Sequence, residues 1–270
     1  MGAILNHETQ AAIRAARSHD RKILLEICCG SVADATEAEA GGADRVELCS
    51  ALYLGGLTPS AGTILEAAAS LSIPFVVMLR PRPGGFCYSA AEFRVMLRDA
   101  ETALAHGAAG VVFGVLHEQG TVDADRCREI IRLAGGRTTV FHRAFDVTPD
   151  PLATLDQLVD LGVSRILTSG QRADSLAGAS LIRDLRHRAD GRIEILPGGG
   201  IDGENVEQVV RQTGCDQIHL AALQSKVDGS CAANPLLRFG APDSPAEDRW
   251  EITDRNAVAA IVRKLSACRA

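Results

Sequence analysis

One alternation repeats eight times along the chain and dictates what it can fold into. A short apolar run rich in β-branched residues is followed by a stretch with apolar residues at helical spacing. The runs are Leu24–Cys29, Arg45–Cys49, Phe75–Arg80, Gly110–Leu116, Thr138–Arg143, Arg165–Ser169, Arg192–Leu196 and Gln217–Ala221. Helical spacing is clear in Val32–Ala40, Ala90–Ala105, Asp125–Leu133, Leu152–Leu161 and Glu204–Arg211. Several helices close alike, at Gly41-Gly42-Ala43, Gly107-Ala108, Gly162-Val163 and Gly214-Cys215, where a left-handed glycine stops the helix and a small apolar residue opens the next strand. Runs this continuously apolar suit parallel strands covered on both faces. Eight such units, spaced about 28 residues apart, predict a closed (β/α)8 TIM barrel in one domain. The competitor, an open doubly wound sheet, wants a Gly-x-Gly-x-x-Gly loop after the first strand, and Cys29-Gly30-Ser31-Val32-Ala33-Asp34 does not supply it. Residues 1–22 read as a helical N-terminal extension and 23–270 as the barrel. Asp228–Arg249 reads as a long polar loop before a final helix from Asn256.

Composition narrows the function classes. A net charge of −6 leaves no electrostatic footprint for nucleic acid or an anionic membrane surface. The longest apolar stretch, near Ala108–Leu116, is far short of the roughly 20 residues that span a bilayer. Eight cysteines in 270 residues are no disulfide framework, and with no secretory leader in view the expected setting is a reducing cytoplasm. Lysine is restricted to Lys22, Lys226 and Lys264. None stands at a strand end, so Schiff-base aldolase chemistry is excluded.

Barrel chemistry belongs to the C-terminal ends of the strands. There the sequence puts Glu26, Cys28, Glu47, Cys49, Arg80, Arg82, His142, Arg143, Thr168, Ser169, Gly198, Gly199, Gly200 and His219. Glu26 and Glu47 sit mid-strand among apolar neighbours, where an unpaired carboxylate is costly. Side chains alternate, so Glu26 shares a face with Cys28, and Glu47 shares one with Cys49. A purely structural account is an ion-pair network with Arg80 or Arg143 filling the interior. A catalytic account gives proton transfer to Glu26, Glu47 and His142, with Arg80 and Arg143 beside them on the substrate. Arg82, Thr168, Ser169, the Gly198-Gly199-Gly200 loop and His219 would bind an anion or phosphate, and the loop reads equally as a tight turn with Asp202 as the helix N-cap. The in-phase thiols Cys28 and Cys49 can hold a soft ion such as Cu(I), or serve as small buried hydrophobes. No C-x-x-C pair points to tetrahedral zinc.

Seven segments together resemble one family. They are Glu26-Ile27-Cys28-Cys29, the stretch from Gly41 to Ser50, Gly55-Gly56-Leu57-Thr58-Pro59-Ser60, Arg80-Pro81-Arg82, Phe141-His142-Arg143-Ala144-Phe145-Asp146, Leu167-Thr168-Ser169-Gly170 and Pro197-Gly198-Gly199-Gly200-Ile201. The family is CutC, of copper homeostasis, and the likeness runs from about Ile23 to the C-terminus. It implies a cytoplasmic, homodimeric barrel that binds copper, with the proposed Cu(I) ligands falling on Cys28 and Cys49. Two departures stand out. The aspartate usual after the third strand is missing from Arg82-Pro83-Gly84-Gly85-Phe86, and no hydroxyl residue follows His219. Three functions remain open: copper handling through Cys28 and Cys49, an enzyme on a small anionic or phosphorylated metabolite, and a non-catalytic binding scaffold.

Overall fold

The computed structural model describes residues 22–240 and 246–268. The expected N-terminal extension lies almost wholly outside the described residues. The eight expected strands all form: β1 Leu24–Cys29, β2 Arg45–Leu48, β3 Phe75–Met78, β4 Gly110–Phe113, β5 Thr138–Phe141, β6 Arg165–Thr168, β7 Glu194–Pro197 and β8 Gln217–Leu220. They pair in parallel in the order β7-β6-β5-β4-β3-β2-β1-β8. Between them run α1 Val32–Ala40, α2 Ala61–Ser70, α3 Ala90–Ala105, α4 Ala124–Ala134, α5 Pro151–Leu161, α6 Ala179–Ala189 and α7 Val206–Thr213, and α8 Arg255–Ala267 ends the described chain.

Local chemistry explains the boundaries. Ser31, Ser60 and Ser89 each accept a backbone N–H at a helix start, and Ser89 completes a capping box with Glu92. Gly162 and Gly214 end their helices in the left-handed conformation, as expected. One glycine is required by strand packing rather than by φ. A Cβ on Gly110 would stand 2.1 Å from the Thr138 carbonyl oxygen, so β4 and β5 can approach only without a side chain there.

The apolar residues divide into two layers. Leu25, Ile27, Val46, Leu48, Val111 and Phe113 point outward against the helices. Val76, Met78, Val112, Val140, Leu167 and Leu196 point inward and fill the barrel beside Cys49. Each such buried side chain contributes roughly 1.5–3 kcal/mol relative to exposure.

The ring closes unevenly. Six of its contacts are ladders of several residues, but β5 and β6 register over only Val140↔Arg165 and Phe141↔Ile166. Between β7 and β8 the closure is a single parallel bridge, Gly198 to His219. The Gln217 side chain spans that seam lower down, donating to the Ile195 carbonyl and to Glu194, both at 3.4 Å. A groove of about 650 Å³ opens at the N-terminal end of the seam, lined by Lys22, Leu24, Glu194 and Gln217 among others.

The segment after β8 differs from expectation. Two antiparallel strands, β9 Leu223–Val227 and β10 Arg249–Thr253, bracket the polar stretch and form a hairpin. Asp34 anchors it: one carboxylate oxygen accepts from Thr253 N at 2.7 Å, while the other accepts from Gly30 N and Ser31 Oγ in the first strand-to-helix loop. Among the described residues, no helix is long and apolar enough to cross a membrane.

Candidate functional site

At the C-terminal mouth lies a cavity of about 640 Å³. Eight of the expected site residues line it: Cys28, Glu47, Arg80, His142, Arg143, Gly199, Gly200 and His219. Glu26, Cys49, Thr168, Ser169 and Gly198 stand behind that surface. Arg82 turns away, hydrogen-bonded to Glu92 and lying over the Tyr88 ring at 5.0 Å.

Strand register assembles the floor. Glu26 is opposite Arg45 on β2 and opposite His219 on β8, so a cation and an imidazole flank one buried carboxylate. Its Oε2 accepts from Arg45 Nε at 2.5 Å and lies 3.6 Å from Arg165, and its Oε1 is 2.8 Å from His219 Nδ1. Burial alone would raise the Glu26 pKa. The His219 bond and the charges of Arg45 and Arg165 override it and hold the carboxyl at about 2. The ion-pair network is therefore real, but its cations are Arg45 and Arg165 rather than Arg80 or Arg143.

Above this floor the sulfurs gather. Cys28 Sγ is 3.2 Å from Glu47 Oε2 and 3.9 Å from Cys49 Sγ, and Cys49 Sγ is 3.5 Å from the same carboxylate oxygen. His219 Nε2 is 3.7 Å from Glu47. Ligand atoms of Cys28, Glu47 and His219 all lie within 4.8 Å of one another. The Cys49 thiol, helped by His219 and opposed by burial, brings the Cys28 pKa down to about 5. Burial and the Cys28 charge push Glu47 up. His219 is drawn down by burial but more strongly up by Glu47, Cys28 and Glu26, and it ends well above the ordinary histidine range. Glu47 Oε1 is buried with no hydrogen-bond partner. Two thiols, one of them acidic, and an unsatisfied carboxylate oxygen form a donor set that fits a soft cation. Two metal–sulfur bonds of roughly 2.3 Å reach across a 3.9 Å gap, so one ion can touch both thiols.

The opposite wall is different. His142 is buried, and its Nδ1 accepts the Ala144 backbone N–H at 3.1 Å, which leaves the ring proton on Nε2. Nε2 has no partner. Burial first, then the positive charge of Arg80, lowers the His142 pKa to about 3. The Arg80 guanidinium donates to the carbonyls of Leu54, Gly56 and Gly84. Arg143 is pinned by Asp146 at 2.8 Å and Ser169 Oγ at 2.7 Å. Asp146 also accepts from Thr168 Oγ1 and from the Ser169 and Gln171 backbones, so Thr168 and Ser169 act as its clamp.

Two kinds of residue escaped sequence reasoning. Arg45, Arg165 and Gln217 open their strands, and only register shows that the two arginines reach Glu26 and that Gln217 accepts from Arg45. Gly114 carries no local signal at all: a Cβ there would fall 2.4 Å from His142 Cε1, so the glycine makes room for the imidazole.

Fold and site together define a (β/α)8 barrel whose mouth sets a thiol, carboxylate and imidazole group beside an arginine-rich wall. The chain belongs to the CutC family, which it matches over residues 23–224. It is 46% identical over 245 residues to a CutC family protein of Treponema denticola, covering 91% of this chain and 100% of that one. The human copper homeostasis protein cutC homolog is 42% identical over 231 residues, 86% of this chain and 85% of its own. The crystal structure of CutC from Streptococcus agalactiae superposes with a TM-score of 0.71 at 37% identity, covering 73% of this chain and 98% of that one. Thiamine phosphate pyrophosphorylase from Pyrococcus furiosus, at 15% identity and a TM-score of 0.54, shares the fold alone.

Proposed function

We propose that this chain handles copper by binding one Cu(I) between Cys28 and Cys49, with His219 as a third donor and Glu47 beside it. The carrying observation is the pair of sulfurs 3.9 Å apart just above the floor of the mouth, one of them acidic. Soft thiolates prefer a soft monovalent ion, and the Glu47 carboxyl, a harder oxygen donor, does not compete with the sulfurs for it. The printed name of the human relative, a copper homeostasis protein, supports the same reading. In this reading the protein works in the cytoplasm, where reduction keeps both thiols free, and as a homodimer, as the family resemblance implies.

Copper titration under reducing conditions, against a competing Cu(I) chelator, tests the site. Wild-type protein is expected to take up one equivalent, and the Cys28→Ser/Cys49→Ser double variant is expected to bind roughly a hundredfold or more weakly. Equal affinity in the double variant would remove the thiol pair from the copper site.

A further inference from the structure

A copper ion at the thiol pair would fill a small part of a cavity of about 640 Å³, a size that ordinarily holds an organic ligand. The remainder of that cavity has its own chemistry. Arg80 is only 8% exposed, yet no carboxylate among the described residues pairs with it. Carbonyl groups hold three of its N–H bonds, while Nε is buried without an acceptor. A buried cation without a counter-ion is costly, and proteins pair such charges or supply them with a ligand. His142, on the neighbouring wall, is likewise buried with an N–H lacking an acceptor. Arg143 completes the group: Asp146 holds its Nε and Ser169 its Nη2, and it lines the same cavity.

From this we infer that the mouth carries a second ligand site, for a small organic carboxylate with an apolar body, held by Arg80, His142 and Arg143. The carboxylate supplies the missing counter-ion. Leu52, Met78, Phe86, Val147 and Leu167 line the cavity around it and would take the apolar part. Phe86 is already packed on His142, with ring centroids 4.9 Å apart.

Phosphate fits less well, for two reasons. A barrel phosphate site is ordinarily built from the loops after strands seven and eight and the N-terminus of a short extra helix. Here β8 runs into the β9 strand instead. Asp174 also presses on the glycine loop: a Cβ on Gly200 would stand 2.5 Å from the Asp174 Cβ. With Asp146 and Glu251 also lining the cavity, a dianion is repelled more strongly than a monoanion.

The test uses metal-free, reduced protein in a carboxylate-free buffer, so its outcome is independent of copper binding. Benzoate, 4-methyl-2-oxopentanoate and inorganic phosphate are titrated by calorimetry, and the His142 ring resonances are followed by NMR. At least one carboxylate is expected to bind saturably at roughly 1 mM or tighter and to shift the His142 Nε2–H resonance. Arg80→Met and Arg143→Met are each expected to weaken it by roughly tenfold or more. If Arg80→Met fails to fold, Arg143→Met, altered at a partly exposed side chain, carries the comparison alone. The inference is overturned if neither carboxylate binds, if the folded variants bind as well as wild type, or if phosphate binds more tightly than both carboxylates.

Discussion

Replacing Glu26 with glutamine is expected to cost about 3–5 kcal/mol of folding stability at neutral pH, the range for breaking a buried ion pair by removing one partner. The reason is what remains. Arg45, 9% exposed, keeps only the Gln217 side chain as a neutral acceptor, and Arg165 keeps only the half-exposed Glu194. Urea unfolding followed by circular dichroism measures the effect, and a loss under about 1 kcal/mol would contradict the network's role. The same residue sets an acid limb. Its folded pKa, about 2, lies below the ordinary 4.5. The stability it contributes is thus complete above 4.5 and is lost as pH falls through about 2. In Glu26→Gln that limb should vanish.

His142 is expected to make the protein acid-sensitive at much milder pH. Its folded pKa of about 3 is depressed from 6.5, so between those values the unfolded chain binds a proton that the folded chain refuses. For this base the depressed value lowers stability as pH falls below 6.5, by about 2 kcal/mol at pH 5 and about 3 kcal/mol at pH 4. His219 behaves oppositely. Its pKa is raised, so its contribution is complete below 6.5 and fades only as pH rises through the folded value. A His142→Asn variant retains an acceptor for the Ala144 N–H and should flatten the limb between pH 6.5 and 4. Melting curves across that range decide the matter: an unchanged slope in the variant would assign the acid sensitivity to other groups.

Much of the barrel was legible because its strands are buried on both faces. Leu24–Cys29 and Val32–Ala40 match their elements residue for residue. The run Gly110–Leu116 overshoots β4, which ends at Phe113, because Val115 and Leu116 stay buried after the ladder stops. Ile193 drew the seventh run to start at Arg192, two residues before β7 begins. The β9–β10 hairpin left no trace. Leu223–Val227 is mostly exposed, and an exposed ladder needs no apolar alternation.

The site was legible in composition but not in pairing. Alternation put Glu26 on one face with Cys28 and Glu47 on one face with Cys49, and both faces turn into the barrel. Which cation meets which carboxylate depends on stagger around the ring, and no local pattern encodes that. Arg45 and Arg165 consequently looked like ordinary strand starts, whereas Arg80 looked like a partner and pairs with no carboxylate among the described residues.

The seam between β7 and β8 bears on how the barrel moves. Elsewhere adjacent strands share a ladder, but here one backbone bridge and one glutamine side chain hold the ring shut. Local opening is cheapest where the fewest backbone bonds must break. Breathing at this line would let water in from the groove at the N-terminal end, where it meets Gln217 before it meets Arg45 and Glu26. Such breathing would give the floor carboxylate a rear route to solvent, one that needs no ligand to leave the mouth.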